Sequence, residues 1–230
     1  MRRTNAGWLP QDRCLTTAIR YLVWTLSGVS AFAADQDLID RFVQASQTRR
    51  TAQRNEPIQV EITATILQTQ RQSQLRGVRR VSDQGGVAYD VFQTSGDDGL
   101  RRQVIARYLT ADSQFRETDA TALTPLNYKF RLKAIVDRLG RRIDVFQLTP
   151  RKKRNGLFKG EVWVDEATGL PVRESGQLVK SPNWLIKRIF FVRTYEIRNG
   201  LARPTRIDST VETRVAGRAE LSIRFGDVEK

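Results

Sequence analysis

The segment Phe158–Gly176, FKGEVWVDEATGLPVRESG, constrains the fold of this chain more than any other. It reads as a strand, a tight turn and a return strand. Phe158, Val162 and Val164 fall on one face at period two, and Glu161, Trp163 and Asp165 on the other. Gly169 closes the turn. Pro171 opens the return strand, where a missing N–H is tolerated. Consecutive hairpins build an antiparallel sheet, and a one-sided sheet must cover its apolar face with something.

The rest of the chain extends this pattern. Ile58, Val60, Ile62, Ala64 and Ile66 alternate with Gln59, Glu61, Thr63 and Thr65. Strands are predicted at about Gln74–Ser82 and Val87–Thr94, with a turn at Gln84-Gly85-Gly86 between them. After the Gly96–Gly99 turn a fourth is predicted over Leu100–Thr110. Asp112–Pro125 has no clean period and reads as a loop with a short helix. Tyr128, Phe130, Leu132, Ala134 and Val136 then share one face of a strand, and Ile143–Thr149 runs back. Beyond the opening hairpin, Trp184–Ile197 is apolar on both faces through Ile189-Phe190-Phe191-Val192. Asn199-Gly200 is a strong hairpin signal, and Ala219, Leu221, Ile223 and Phe225 alternate near the end. Ahead of the sheet, Asp35 to about Arg54 is helical, with a stripe through Leu38, Ile39, Phe42 and Val43, and with Arg49 and Arg50 largely off it. The predicted fold is mainly β: a strongly curved antiparallel sheet forming a half-barrel, its concave face closed by helices.

Residues 1–34 are set apart from this domain. Four arginines precede an apolar run from Tyr21 to Ala33, and Ala31-Phe32-Ala33 is a small-residue cleavage pattern. This reads as a secretory signal peptide cut near Ala33 or Ala34, which places residues 35–230 in the periplasm as one domain. Cys14 precedes the run, so no cysteine remains after cleavage for a disulfide, a thiolate or a lipid anchor. The chain has no histidine, which removes Ser-His-Asp and Cys-His catalysis and the usual zinc sites. No catalytic residue, metal or cofactor is expected. The formal charge of +14 points to anionic lipid, lipopolysaccharide or acidic protein surfaces, and export argues against nucleic acid.

The segment from Asn127 to Phe225 resembles the outer-membrane lipoprotein-sorting (LolA-like) superfamily. The resemblance lies in Leu148 and Pro150 ending a strand, a basic loop, Trp163-Val164-Asp165, and the turn Thr168-Gly169 with Pro171 and Arg173. It implies a half-barrel whose apolar cavity receives acyl chains of a lipid or lipoprotein, acting as a monomer. Related members sense mislocalised lipoproteins, so a regulator holding an inner- or outer-membrane protein partner is the alternative expectation.

On this view Ile62, Ile66, Phe130, Leu132, Val162, Val164, Leu221 and Ile223 are the candidates to line the cavity, and they fit a packed core equally. Leu38 and Phe42, with the 112–125 insert, are lid candidates. Arg151, Lys152, Lys153, Arg154 and Lys159 form a basic rim suited to an anionic membrane surface or an acidic partner. Trp163 lies opposite Val162 and Val164 and is a candidate partner contact.

Overall fold

The computed structural model describes residues 35–49, 51–52, 56–82, 86–114, 118–181, 186–214 and 217–228. The expected signal segment and its cleavage site, Trp184, Leu185, and Gln84-Gly85 of the early turn lie outside them. The chain divides into two units, Met1–Leu38 and Ile39–Lys230. Of the first, residues 35–38 are described and are helical. The second opens with helical residues 39–49, here α1.

Ten antiparallel strands form one sheet: β1 (Ile58–Ile66), β2 (Arg71–Val81), β3 (Val87–Gly96), β4 (Tyr128–Arg138), β5 (Arg141–Pro150), β6 (Phe158–Asp165), β7 (Pro171–Leu178), β8 (Ile186–Arg198), β9 (Leu201–Thr213) and β10 (Arg218–Gly226). Their order is β3-β2-β1-β10-β9-β8-β7-β6-β5-β4. The chain starts near one side, works out to the β3 edge, crosses to the opposite edge at β4, and meanders back until β10 pairs with β1. The edges β3 and β4 do not meet, so the sheet is open. Register shifts at Arg76/Gly77, Leu132/Ala134, Trp163/Val164, Ile186/Arg188 and Thr194/Tyr195 bend it, since each bulge adds local twist.

The crossover from β3 to β4 is helical. Asp98–Leu100 (α2), a π-helical turn at Arg101–Ile105 and Ala106–Gln114 (α3) stand where the alternation predicted a strand over Leu100–Thr110. Two causes override that expectation. The Asp97 carboxylate accepts the Leu100 N–H at 2.7 Å, capping a helix start. Leu100, Val104, Ile105, Tyr108 and Leu109 also form a helical stripe, and they pack on Ile62, Ala64, Leu75, Leu221 and Ile223. Asp112 then ties α3 to the sheet, accepting from Tyr89 Oη at 2.7 Å and Arg79 Nε at 3.0 Å.

A second correction concerns β4. The bulge between Leu132 and Ala134 pairs Ala134 with Val145 and Val136 with Ile143, on the face opposite Phe130 and Leu132. The predicted single face Tyr128–Val136 therefore splits, because one extra residue inverts the side-chain alternation beyond it.

The opening hairpin is built as its sequence indicates, down to the turn. The Thr168 N–H and hydroxyl both donate to Asp165 Oδ1, at 2.9 and 2.7 Å, and Arg141 Nε donates to Oδ2 at 2.9 Å. Gly169 has φ +69°, and a Cβ there would stand 2.9 Å from Arg41 Cβ. Only glycine supplies that conformation while admitting α1 so closely. Arg41 Nη1 donates to the Glu166 carbonyl oxygen at 2.8 Å, fastening α1 to this turn.

Candidate functional site

The register brings the inner-face side chains into cross-strand rows. One row runs Leu132, Phe146, Val162, Glu174, Arg193, Ile207, Ile223, Ile62 and Leu75 across nine strands. The next runs Phe130, Leu148, Gly160, Gly176, Phe191, Ser209, Leu221 and Ala64. Six of the eight cavity candidates from the sequence thus stand in two adjacent rows, while Val164 and Ile66 stand outside them.

Helices cover these rows at both ends. At one end Ile62, Leu221 and Ile223, with Ile66 at the margin, pack under α2 and α3. At the other, Phe42 of α1 meets Phe130 edge-on at 6.3 Å, and Phe130 meets Phe146 at 6.3 Å. Val162 and Val164 are fully buried in this half, whereas Phe130 and Leu132, on edge strand β4, are half-buried. Phe42 is buried against the apolar face at this end. Leu38, the other lid candidate, ends the first unit. Of the 112–125 insert's described residues, 112–114, the end of α3, are helical.

The middle of the inner face is not sealed. Leu178 and Gly176 on β7, Ile189, Phe191 and Arg193 on β8, and Ser209 and Val211 on β9 are all half-buried. Their inner-face neighbours on β6 and β10 are mostly buried. Between the two helical covers this leaves a half-buried strip, here termed the cleft, with Leu178, Ile189, Phe191 and Val211 as its apolar floor. Phe158 forms one wall, its ring edge-on to Phe191 at 4.9 Å. Glycines make that wall possible: a Cβ on Gly176 would lie 2.5 Å from the Phe158 ring, and one on Gly160 would lie 1.9 Å from the Ser175 carbonyl oxygen.

One end of the cleft is charged. Arg193 Nη1 donates to Glu174 Oε2 at 3.1 Å and to Tyr195 Oη at 3.4 Å. Arg49 of α1 lies over the Tyr195 ring at 5.1 Å. Ile39, Phe42 and Ser46 are the buried positions of α1, and Arg49 continues their spacing toward the sheet, against the sequence expectation that it turns away. Burial raises the Tyr195 pKa, with Glu174 adding to it, and burial pushes Tyr108 up to about 12, so both phenols stay neutral donors at pH 7.

Sequence reasoning missed this cleft. The available signal was the inward placement of Glu174 and Arg193 on strands whose other inward positions are apolar or small. Arg151, Lys152, Lys153, Arg154 and Lys159 are exposed, and no acidic side chain of the described residues pairs with them. Arg151 Nε donates to the Pro125 carbonyl oxygen at 2.8 Å, beside Leu126, which is 84% exposed. Trp163 stands on the outer face, paired with Val145 and capped by the Arg173 guanidinium at 5.3 Å. Two outer-face grooves of about 280 and 350 Å³ are lined mainly by Thr, Ser, Gln and charged residues such as Thr63, Arg206 and Ser222. Among the described residues no group of three His, Cys, Asp or Glu could hold a metal ion.

No protein-family model matches the sequence, and no curated protein sequence matches it. Solved structures do. The chain is similar to a LolA superfamily protein of Nitrosomonas europaea, with 13% identity and TM-score 0.42, over 84% of this chain and 91% of that one. It is similar to a DUF1329 family protein of Desulfovibrio piger, with 13% identity and TM-score 0.44, over 83% and 90%. It is also similar to an outer membrane lipoprotein-sorting protein domain of Vibrio parahaemolyticus, with 14% identity and TM-score 0.39, over 80% and 90%. At these identities and TM-scores, the function rests on the residues of this chain.

Proposed function

We propose that this chain is a periplasmic carrier that takes up acyl chains of a lipid or lipoprotein in the inner-face cleft, in the service of outer-membrane lipoprotein sorting. The observation that carries this reading is the half-open apolar floor of Leu178, Ile189, Phe191 and Val211 between two helical covers. Each methylene moved from water onto such a floor gains about 0.8 kcal/mol. Widening the cleft for a whole chain requires α1 to shift, and α1 is held by the Phe42 contact and by Arg41 on the Glu166 carbonyl. A helix docked by side chains, outside the strand ladder, suits a lid that opens and recloses. Binding and release need no catalytic group, in keeping with the absence of histidine.

Native mass spectrometry of the protein isolated from a periplasm tests the proposal. A lipid or acylated peptide is expected to leave with the protein and to pass to acceptor vesicles. A ligand-free protein with no affinity for lipid overturns it. A stoichiometric protein partner released on adding lipid would instead establish the regulator.

A further inference from the structure

Across the row Phe146, Val162, Glu174, Arg193, Ile207, Ile223, two charged residues interrupt apolar neighbours on both sides. A carboxylate and a guanidinium would neutralise each other there. Arg49 brings a second guanidinium to the same place, over Tyr195. Its Nη1 is closed off from solvent and has no hydrogen-bond partner. The cluster therefore carries two cations against one carboxylate, with at least one buried donor unused. Charge in such surroundings is costly unless paired, and an unused buried donor calls for a missing acceptor. The neutral phenol of Tyr195, held at 3.4 Å from Arg193 Nη1, borders the same space. The Arg193 side chain is 37% exposed, so the cluster is not sealed from solvent.

We infer that Arg49 and Arg193 receive the anionic head of an amphiphilic ligand, a carboxylate or phosphate, while its acyl chain lies on Phe191 and Ile189. This rests on the acyl-binding reading and narrows it to ligands with a charged head. The geometry suits that arrangement: Arg193, Phe191 and Ile189 alternate on one face of β8, so the floor extends about 13 Å from the charged end. Bound there, one negative charge balances the cluster.

The test is displacement of a neutral fluorescent probe, N-phenylnaphthylamine, from the full chain by three single-chain lipids below their micelle concentrations. These are oleate, oleoyl lysophosphatidic acid and neutral mono-oleoylglycerol. A charge-assisted hydrogen bond predicts that at least one anionic lipid binds about 10-fold more tightly than the neutral one. Which anion is preferred separates a free fatty acid from a phosphate-headed lipid. Arg49→Gln is expected to bring the ratio of anionic to neutral affinity close to one. Arg49→Lys should keep part of the preference, and Arg102→Gln, on the exposed side of the crossover helix, should keep all of it. The ratio is read within each variant, so a general loss of folding does not imitate the effect. Equal binding of all three lipids by the unaltered chain overturns the anionic site and leaves the acyl reading standing. An unchanged ratio in Arg49→Gln also overturns it. Binding of none of the three overturns the acyl reading itself.

Discussion

Gly160 and Gly176 sit side by side on β6 and β7, and each fits only because it has no side chain. At Gly160 the obstacle is backbone, which cannot swing aside. Gly160→Ala is therefore expected to cost about 1–3 kcal/mol, the range for overpacking, and to lower the melting temperature by several degrees in a calorimetric scan. Asp165 shows a different dependence. It is 2% exposed, accepts from Thr168 and Arg141, and holds the turn on which α1 rests. Asp165→Ala leaves those donors unmatched and should destabilise by roughly 2–3 kcal/mol, measured by urea unfolding. Val162 and Leu132 separate cleanly. Val162 is fully buried, so Val162→Asp should unfold the protein, whereas the half-buried Leu132 should tolerate the same change with folding intact by circular dichroism.

The elements differ in how they are attached, and this decides which can move. The α2–α3 crossover is fixed by an apolar stripe and by Asp112, while α1 is held by Phe42, Arg41 and Arg49. Phe42→Ala is expected to cost about 3–5 kcal/mol locally and to raise amide exchange in α1 before that of β1 and β10. The start of the crossover is sensitive to acid. The backbone N–H of Leu100, and then Arg71, hold the Asp97 carboxyl below the usual carboxylate range. A lowered folded pKa stabilises above the unfolded value of about 3.9 and loses that contribution as pH falls through the folded one. Asp97→Asn should flatten stability against pH below about 4 in thermal melts. The strands and hairpins of this architecture were legible in the sequence because period two and the turn residues at Asn199-Gly200 and Thr168-Gly169 are local signals. The crossover was misread because Leu100–Thr110 also supports a short alternation. Its helical form depends on a cap and on a sheet face assembled from β1, β2 and β10. The β4 face was misread because a bulge leaves no mark on the alternation before it.

At the scale of the whole sheet, two helical covers share one inner face and leave its centre half-open. The candidate lining residues chosen from sequence were the most apolar alternating positions; Ile62, Val162, Val164, Leu221 and Ile223 are buried, while Ile66, Phe130 and Leu132 are half-buried. The cleft floor went unseen because Ile189 and Phe191 share β8 with the equally apolar Phe190 and Val192, and only cross-strand register tells the two faces apart. That register also supplies the most direct test that acyl chains enter the cleft. A fatty acid carrying a photoreactive group in its tail is bound to the protein and irradiated, and the crosslinked residues are mapped by mass spectrometry. Crosslinks are expected at Leu178, Ile189, Phe191 and Val211, with Phe190 and Val192 spared. Crosslinks concentrated on Phe190 and Val192, or scattered over both faces alike, would contradict the account.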